Sequence, residues 1–167
     1  GRAGRGVDNI DIDSATSKGI IVMNTPHGNS ITTAEHTIAM IMSLARQIPD
    51  ANVSTKKGKW EKSQFVGTEI TGKKLGLIGC GNIGSIVVDR AKGLKMNVQV
   101  YDPFLTDDKS KELGIEKVSF ENLLGSSDII SIHTPLTDST RNIINSDNIY
   151  SIKKGAWIIN CARGGLI

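Results

Sequence analysis

An apolar run that ends in a Gly-x-Gly-x-x-Gly pattern occupies residues 75–84 and constrains the fold more than any other stretch. The pattern predicts a strand, a tight turn and the start of a helix. Gly79 lets the chain turn sharply, Gly81 has no side chain to block a pyrophosphate, and Gly84 lets the helix pack closely on the sheet. Backbone N–H groups at that helix start would hold the phosphates. Since the chain contains 18 glycines, the pattern needs support from its context.

The residues that follow supply that context. Apolar side chains at helical spacing predict a helix over residues 85–94, and residues 97–101 are typical of a strand that ends at Asp102. Asp102 lies 18 residues after Gly84, near the usual interval of about 20, where its carboxylate can accept both ribose hydroxyls of an adenosine. A 2′-phosphate would meet a negative charge there, so we expect NAD rather than NADP. Without the glycines, Asp102 would be interpreted as a turn residue before Pro103.

The remaining pattern alternates strands with helices and predicts an α/β fold with a parallel, doubly wound, Rossmann-like sheet. Further strands are expected at residues 115–118, 128–132 and 156–160, with short helices at 109–113 and 120–124. Two polar segments follow the last two strands directly, namely residues 133–136 and 161–165. We place both segments at the carboxyl edge of the sheet, where ligands bind in such folds.

Before the glycine-rich stretch, the sequence predicts three helices and one strand, and the third helix is a more polar stretch from Asp50 towards Trp60. A short helix comes first, residues 20–24 form a buried strand, and residues 25–29 form a turn at a domain edge. A long helix begins at Ser30, where residues 32–35 have the pattern of a capping box, and apolar residues between positions 31 and 48 line one face. Such a helix could bridge domains or meet a second subunit, and we favour a homodimer.

Length, charge and hydropathy exclude several classes of protein. A chain of 167 residues suits one ordinary domain or slightly more, and its net charge of +3 comes from lysines in small groups with few aromatic residues among them. We expect a solvated basic surface and no nucleic-acid binding. There is no apolar run long enough for a membrane span and no signal-peptide pattern, so we expect no membrane association and a cytoplasmic location.

The two cysteines, Cys80 and Cys161, follow different apolar strands and suit a reducing compartment. None of the three histidines stands at zinc-like spacing with them. The sequence therefore predicts neither a metal site nor a disulfide framework.

Arg163 is the strongest candidate for catalysis. A guanidinium at the carboxyl end of a strand can hold a carboxylate in a bidentate grip and polarise a neighbouring carbonyl. Hydride transfer between a 2-hydroxy acid and a nicotinamide needs such a cation and a general base, commonly a histidine. His133 is at the right edge but directly follows a buried strand, so we expect it to line the cofactor pocket rather than act as the base. The alternative role for Arg163 is a surface salt bridge.

Several segments of the chain resemble the D-2-hydroxyacid dehydrogenase family, and the resemblance extends over essentially the whole chain. They are Gly1-Arg2-Ala3-Gly4, Gly6-Val7-Asp8-Asn9-Ile10-Asp11, Asn24-Thr25-Pro26, Gly58-Lys59-Trp60, residues 79–84, Tyr101-Asp102-Pro103, His133-Thr134-Pro135-Leu136 and Asn160-Cys161-Ala162-Arg163-Gly164-Gly165. The first and last of these are similar to the branch of the family whose substrate is 3-phosphoglycerate. The implied reaction is the NAD-dependent oxidation of this phosphorylated 2-hydroxy acid to 3-phosphohydroxypyruvate, the first step of L-serine biosynthesis.

The resemblance also implies two Rossmann-like lobes. Residues 1–26 would be the remnant of a substrate lobe, and residues 27–167 would form the NAD lobe. The family's catalytic glutamate and acid–base histidine would lie after Ile167, and the first part of the substrate lobe before Gly1. We therefore expect an internal part of a longer enzyme, which cannot turn over substrate by itself.

The resemblance assigns roles to individual residues. The implied cofactor-binding positions are Gly79, Gly81, Asn82, Ile83, Gly84, Asp102, His133, Thr134, Pro135, Cys161, Ala162 and Arg163. Arg163 matches the catalytic arginine. Gly4 and Asn29 match substrate-side positions, and Arg2 becomes a candidate contact for a phosphate or carboxylate. Arg5 is a departure, because close relatives often have a small residue there that touches the cofactor.

Two other functions stay open. Another member of the same family, such as a glyoxylate or hydroxypyruvate reductase, would use the same cofactor with a different acid. A non-catalytic NAD-sensing module is the second, because the C-terminal-binding protein corepressors have this fold and assemble with partners when NAD(H) binds. For the enzyme, we expect a small-molecule substrate and a homodimer or homotetramer.

Overall fold

The computed structural model describes residues 1–167, and its centre is a parallel sheet of five strands. The strands are β1 (Lys74–Ile78), β2 (Asn97–Tyr101), β3 (Glu116–Lys117), β4 (Ile129–Ile132) and β5 (Trp157–Asn160). Their order across the sheet is β3-β2-β1-β4-β5. The chain moves outward from β1 to β3 on one side and then returns to the other side for β4 and β5. This is the doubly wound arrangement, and it confirms the predicted fold class.

Six α-helices accompany the sheet. They are α1 (Ile12–Ser17), α2 (Ser30–Ala45), α3 (Ile48–Lys56), α4 (Asn82–Gly93), α5 (Asp107–Leu113) and α6 (Phe120–Ser126). Two single 3₁₀ turns occupy Lys62–Gln64 and Ile149–Ser151. α2 and α4 pack on each other over one face of the sheet, and α6 covers the other face. None of the helices combines the length and the apolar character needed to cross a membrane.

The central strand β1 sends alternate side chains into two separate cores. Leu75 and Leu77 join the apolar cluster beneath α2 and α4, whereas Ile78 joins the cluster beneath α6. Gly76 also faces α6, where a Cβ would collide with Ser127 Oγ. α6 can therefore lie this close to the sheet only because that position has no side chain.

The carboxyl ends of four strands stand in one row across the sheet. Ile78 at the end of β1 is paired with Tyr101 on one side and with Ile132 on the other, and Ile132 is paired with Asn160. Because the strands are parallel, the four segments that leave them emerge at the same edge. The order of the strands reverses between β1 and β4, which are neighbours in the sheet. The topological switch point, where ligands bind in such folds, therefore lies between these two strands.

The prediction of a buried strand at residues 20–24 is wrong. Ile21 and Met23 are 81% and 66% exposed. The segment has one bridge, which links Asn24 to Arg2. A single bridge does not make a ladder and covers neither face of the segment, so its apolar side chains stay at the surface. The turn predicted directly after it is present.

The helix predicted from Ser30 begins there, but the expected capping box does not form. Asn29 is the N-cap residue without a capping side-chain hydrogen bond, and Thr32 already lies inside α2. The residues that α2 buries are Ser30, Ala34, Thr37, Ile41 and Ala45. Ile31 and Ile48, which were expected on the buried face, are more than half exposed. α2 ends at Ala45, and Gln47, with φ of 53°, turns the chain so that Ile48 starts a new helix.

Candidate functional site

The glycine-rich segment forms the strand, turn and helix start that its pattern predicts. Gly79 has φ of 94°, a left-handed conformation that favours glycine. A Cβ on Gly84 would lie 2.6 Å from the carbonyl oxygen of Gly79, so α4 can start this close to the strand only with glycine there. The nearest atom to a Cβ built on Gly81 is Arg5 Nη1 at 4.0 Å, which leaves open space over the turn.

The N-terminus of α4 is suited to an anion. Gly81 is the N-cap residue, and the helix has no capping hydrogen bond to a side chain. Its first N–H groups and the positive end of its dipole therefore face the open space. Asn82 Nδ2 lies 3.1 Å from His27 Nδ1, which ties the linker before α2 to the turn. The turn thus fits the pyrophosphate of a dinucleotide.

Asp102 lies beside this turn at the end of β2. Its Oδ2 accepts a hydrogen bond from Cys80 N at 2.7 Å, and its Oδ1 accepts one from Phe104 N at 2.8 Å. The two bonds fix the carboxylate, and each oxygen keeps a further lone pair for a ribose hydroxyl. Burial raises the pKa of the Cys80 thiol to about 11, with the Asp102 charge as a smaller cause. Cys80 is therefore a neutral thiol at physiological pH.

His133 and Thr134 leave β4 next to the turn. His133 N donates to Ile78 O at 2.8 Å, and its ring Nε2 lies 2.9 Å from Ser131 Oγ. Burial lowers the pKa of His133 to about 4, so the ring is neutral at pH 7. The hydroxyl of Thr134 is buried without a hydrogen-bond partner. An orphaned polar atom of this kind costs about 1–3 kcal/mol, and a polar atom of a bound cofactor would satisfy it.

The last residue of β5 braces the loop that carries Arg163. Asn160 Oδ1 accepts a hydrogen bond from Ala162 N at 3.1 Å, and Asn160 Nδ2 donates to Arg163 O at 2.8 Å. Arg163 Nη1 in turn donates to Ala162 O at 2.8 Å. The side chain of Asn160 therefore holds the backbone of both Ala162 and Arg163 in place.

Asp8 orients the guanidinium of Arg163. Arg163 Nε donates to Asp8 Oδ1 at 3.1 Å. The pKa of Asp8 is lowered, chiefly by a hydrogen bond from its own backbone and next by the hydrogen bond from Arg163. A Cβ at Gly6 would collide with Arg163 Nη2 and lie 2.6 Å from Asp8 Oδ1, so this approach requires glycine. Three of the five guanidinium N–H groups, both on Nη2 and one on Nη1, stay free for a ligand.

Arg2 belongs to the same cluster of charges. Its Nε donates to Gly6 O at 3.2 Å, and its positive charge contributes to the lowered pKa of Asp8. Gly4, another candidate substrate residue, is held by Thr25, whose Oγ1 accepts from Gly4 N at 2.7 Å. Both arginines are therefore held by the segment of residues 2–8, Arg2 by the carbonyl of Gly6 and Arg163 by the carboxylate of Asp8.

The other candidate residues contribute backbone or packing. Ile83 and Cys161 pack their side chains against the core beneath α2 and α4, and Ala162 packs against the core beneath α6. The carbonyl of Pro135 accepts a hydrogen bond from a loop hydroxyl at 2.6 Å. Asn29 is the N-cap of α2. Asn29 and Pro135 are exposed, whereas Ile83, Cys161 and Ala162 are partly buried.

Four residues of the site were missed among the candidates. They are Gly6, Asp8, His27 and Asn160. Gly6, Asp8 and Asn160 lie inside the segments that carried the family resemblance, which was an available signal. Their partners were not predictable from spacing, because the Asp8–Arg163 contact joins positions 155 residues apart.

The sequence profile of the D-isomer specific 2-hydroxyacid dehydrogenase, NAD binding domain, matches residues 38–167. The chain therefore belongs to this family of NAD-binding domains. Among its relatives is the D-3-phosphoglycerate dehydrogenase of Bacillus subtilis (strain 168), which is 54% identical over all 167 residues of the chain. This match covers 32% of the relative, and the chain spans about a third of the length of the curated relatives it matches.

Solved structures of dehydrogenases have the same fold. The pyruvate reductase of Chlamydomonas reinhardtii superposes with a TM-score of 0.89 at 35% identity, covering 99% of this chain and 50% of that one. The D-lactate dehydrogenase of Aquifex aeolicus, solved in complex with NAD and lactic acid, superposes with a TM-score of 0.87 at 36% identity, covering 98% and 49%. These matches confirm the Rossmann-like dehydrogenase fold and NAD as the cofactor of the family.

Proposed function

We propose that this chain is the NAD-binding and arginine-bearing part of a dehydrogenase that oxidises 3-phosphoglycerate to 3-phosphohydroxypyruvate, the first step of L-serine biosynthesis. The observation that carries the proposal is the position of Arg163, directly after the row of strand ends from which the glycine-rich turn also emerges. Support for the substrate comes from sequence identity, which is 54% with the B. subtilis phosphoglycerate dehydrogenase but 35% and 36% with the pyruvate reductase and the lactate dehydrogenase.

The cofactor supplies the hydride acceptor when it is bound. We assign its pyrophosphate to the backbone of Gly81, Asn82 and Ile83, where the N-terminus of α4 is uncapped by side chains. The adenosine ribose is assigned to Asp102, whose fixed carboxylate would repel a 2′-phosphate. The unsatisfied hydroxyl of Thr134 would take a polar atom of the cofactor.

Arg163 would hold the substrate and stabilise the charge that develops on it. As the hydroxyl proton and the C2 hydrogen leave, negative charge grows on the C2 oxygen, and a fixed guanidinium lowers the energy of that state. Its three free N–H groups allow a bidentate contact to the carboxylate and one further contact to the oxygen. Arg2, which is held by Gly6 in the same N-terminal segment as Asp8, is assigned to the phosphate. His133 is a poor candidate for the base, since its ring is held by Ser131 and its low pKa means that it binds a proton weakly.

We also propose that residues 1–26 belong to a substrate lobe and residues 27–167 to the NAD lobe. All five strands of the sheet lie in the second part. The first part contributes α1, which buries none of its residues, and the segment of residues 2–8 that holds Arg2 and Arg163. A longer dehydrogenase with this segment at its centre would place the substrate between the two parts.

The test is a chimaera in which these 167 residues replace the matching segment of the B. subtilis dehydrogenase. We expect it to reduce NAD with 3-phosphoglycerate, and we expect Arg163→Gln to lower kcat/KM by at least about 100-fold. Arg46→Gln, at the exposed C-cap residue of α2, is the matched control and should leave the rate unchanged. The 167-residue chain alone should bind NAD and leave 3-phosphoglycerate unreacted, since it spans about a third of its relatives.

The alternatives predict different results in the same assay. A chimaera that is active with glyoxylate or hydroxypyruvate and inactive with 3-phosphoglycerate would assign the chain to another branch of the family. A chimaera that binds NAD and turns over none of these acids would favour the non-catalytic NAD-sensing module.

A further inference from the structure

We infer that Arg5 binds the cofactor pyrophosphate across the glycine-rich turn, adding a cation to a site otherwise made of backbone N–H groups. The inference rests on the NAD-binding role assigned above. It concerns a residue of the N-terminal segment, outside the glycine-rich motif.

The position of the Arg5 side chain is the first reason. Its Nη1 is the nearest atom to a Cβ built on Gly81, at 4.0 Å, so the guanidinium stands over the open space that the glycine leaves. The side chain is exposed and has no hydrogen bond or ion pair of its own, whereas Arg2 donates to Gly6 and Arg163 donates to Asp8. Its N–H groups are therefore available to a ligand on the turn.

The backbone of Arg5 is fixed relative to its neighbours. Asn24 Nδ2 donates to Arg5 O at 2.8 Å. On one side of it, Gly4 is paired with Thr25, and on the other, Gly6 O accepts from Arg2 Nε. The guanidinium is thus presented from an anchored segment, which lowers the entropy lost when it binds.

The charge balance at the turn is the second reason. A pyrophosphate linkage carries two negative charges, and the N-terminus of α4 offers a fraction of one positive charge. The carboxylate of Asp102 accepts a hydrogen bond from Cys80 N, on the same turn, and adds negative charge at the ribose end. The Arg5 guanidinium, which lies beside Gly81, offsets this charge and can contact two phosphate oxygens in one plane.

The experiment is a titration of the 167-residue chain with ADP-ribose, which carries the pyrophosphate, and with adenosine, which does not. We expect Arg5→Gln to weaken ADP-ribose binding by about tenfold, because a charge-assisted contact is lost, and to leave adenosine binding unchanged. Arg5→Lys should recover part of the affinity. Raising the salt concentration should weaken ADP-ribose binding more in the wild type than in Arg5→Gln. Arg46→Gln is the matched control and should change neither affinity.

Several results would overturn the inference. Equal affinity of wild type and Arg5→Gln for ADP-ribose would show that the guanidinium makes no useful contact. Tighter binding by Arg5→Gln would show that Arg5 obstructs the site. An equal loss for adenosine would place the effect away from the pyrophosphate. Failure of the wild-type chain to bind ADP-ribose at all would contradict the NAD-binding role itself, and with it this inference.

Discussion

Asp8 and Arg163 are 155 positions apart in the sequence, yet Oδ1 of the aspartate lies 3.1 Å from Nε of the arginine. The bond uses the N–H group of the guanidinium that is closest to the chain, so that both N–H groups of Nη2 and one of Nη1 stay free. Asp8 therefore acts as a positioning residue, which sets the direction of the arginine without occupying its ligand-binding side. The contact also joins the N-terminal segment to the loop after β5, so that the candidate substrate residues and the candidate catalytic arginine are held together.

Replacing Asp8 should impair the arginine more than the fold. We expect Asp8→Ala to lower kcat of the chimaera with 3-phosphoglycerate by about 10- to 100-fold, because a misdirected guanidinium no longer meets the reacting oxygen. Asp8→Asn keeps an acceptor for Nε and should recover part of that loss. The measurement is a steady-state comparison of kcat and KM beside the thermal midpoint, which should change little because Asp8 is exposed. Equal rates in Asp8→Ala and wild type would contradict the positioning role.

Gly6→Ala should displace the same arginine by steric contact. The added Cβ would collide with Nη2, the flexible end of a partly exposed side chain, so Arg163 can move away without unfolding the protein. We expect loss of most of the activity of the chimaera, with a thermal midpoint close to that of wild type. Gly164→Ala is a matched control, since a Cβ there meets nothing within 4 Å. A fully active Gly6→Ala chimaera would show that Arg163 does not need its observed position.

The features that could be predicted from the sequence are those that depend on residues close together in the chain. The spacing of Gly79, Gly81 and Gly84 predicted the turn, because each glycine meets a local steric requirement, and Asp102 followed from its distance along the chain. Residues 20–24 were misjudged, since burial of a strand depends on neighbours that no local pattern specifies. The Asp8–Arg163 contact depends on how two distant segments meet, so only the fold reveals it.

Asp102 should control the choice of cofactor. Replacement by Asn removes the negative charge and leaves only one carbonyl oxygen for the N–H groups of Cys80 and Phe104. We expect Asp102→Asn to bind NADH about tenfold more weakly than wild type and to narrow the preference for NADH over NADPH. Glu112→Gln, at the far end of α5, is the control. Fluorescence titration with both nucleotides measures the effect, and an unchanged preference would argue against the ribose contact.

His133 should make the stability of the chain depend on pH between about 6.5 and 4. Its pKa is about 4 in the folded state, below the ordinary value of 6.5, so the unfolded chain takes up the proton first as the pH falls. The stabilisation is present above pH 6.5, and about 2 kcal/mol of it should be lost by pH 5. The aspartates with lowered pKa values lose their contributions only below about 3.8, so they do not interfere.

A comparison of denaturant unfolding at pH 7 and pH 5 measures this loss. His133→Gln does not titrate and can still reach Ser131, so it should lose about 2 kcal/mol less than wild type between the two pH values. Equal losses in both proteins would show that the buried ring is not responsible.

The outer face of α2 should mediate self-association. Met40 and Leu44 are 44% and 47% exposed, and they line a groove of about 730 Å³ together with Val66, which is 68% exposed, and Trp157 on β5. β5 is an edge strand of the sheet, so the groove borders a strand without a neighbour on one side. Apolar surface beside an open strand edge favours burial, and a two-fold axis through this face would let one copy cover the other.

Sedimentation velocity over a range of concentrations tests this proposal of a homodimer. The wild-type chain should sediment as a dimer at high concentration, and Leu44→Lys should shift it to the monomer, because a charge would have to be buried at the interface. Tyr150→Lys places the same charge at a side chain that is 90% exposed elsewhere, and it should leave the dimer intact. A wild-type chain that stays monomeric at every concentration would show that this face does not support a dimer by itself.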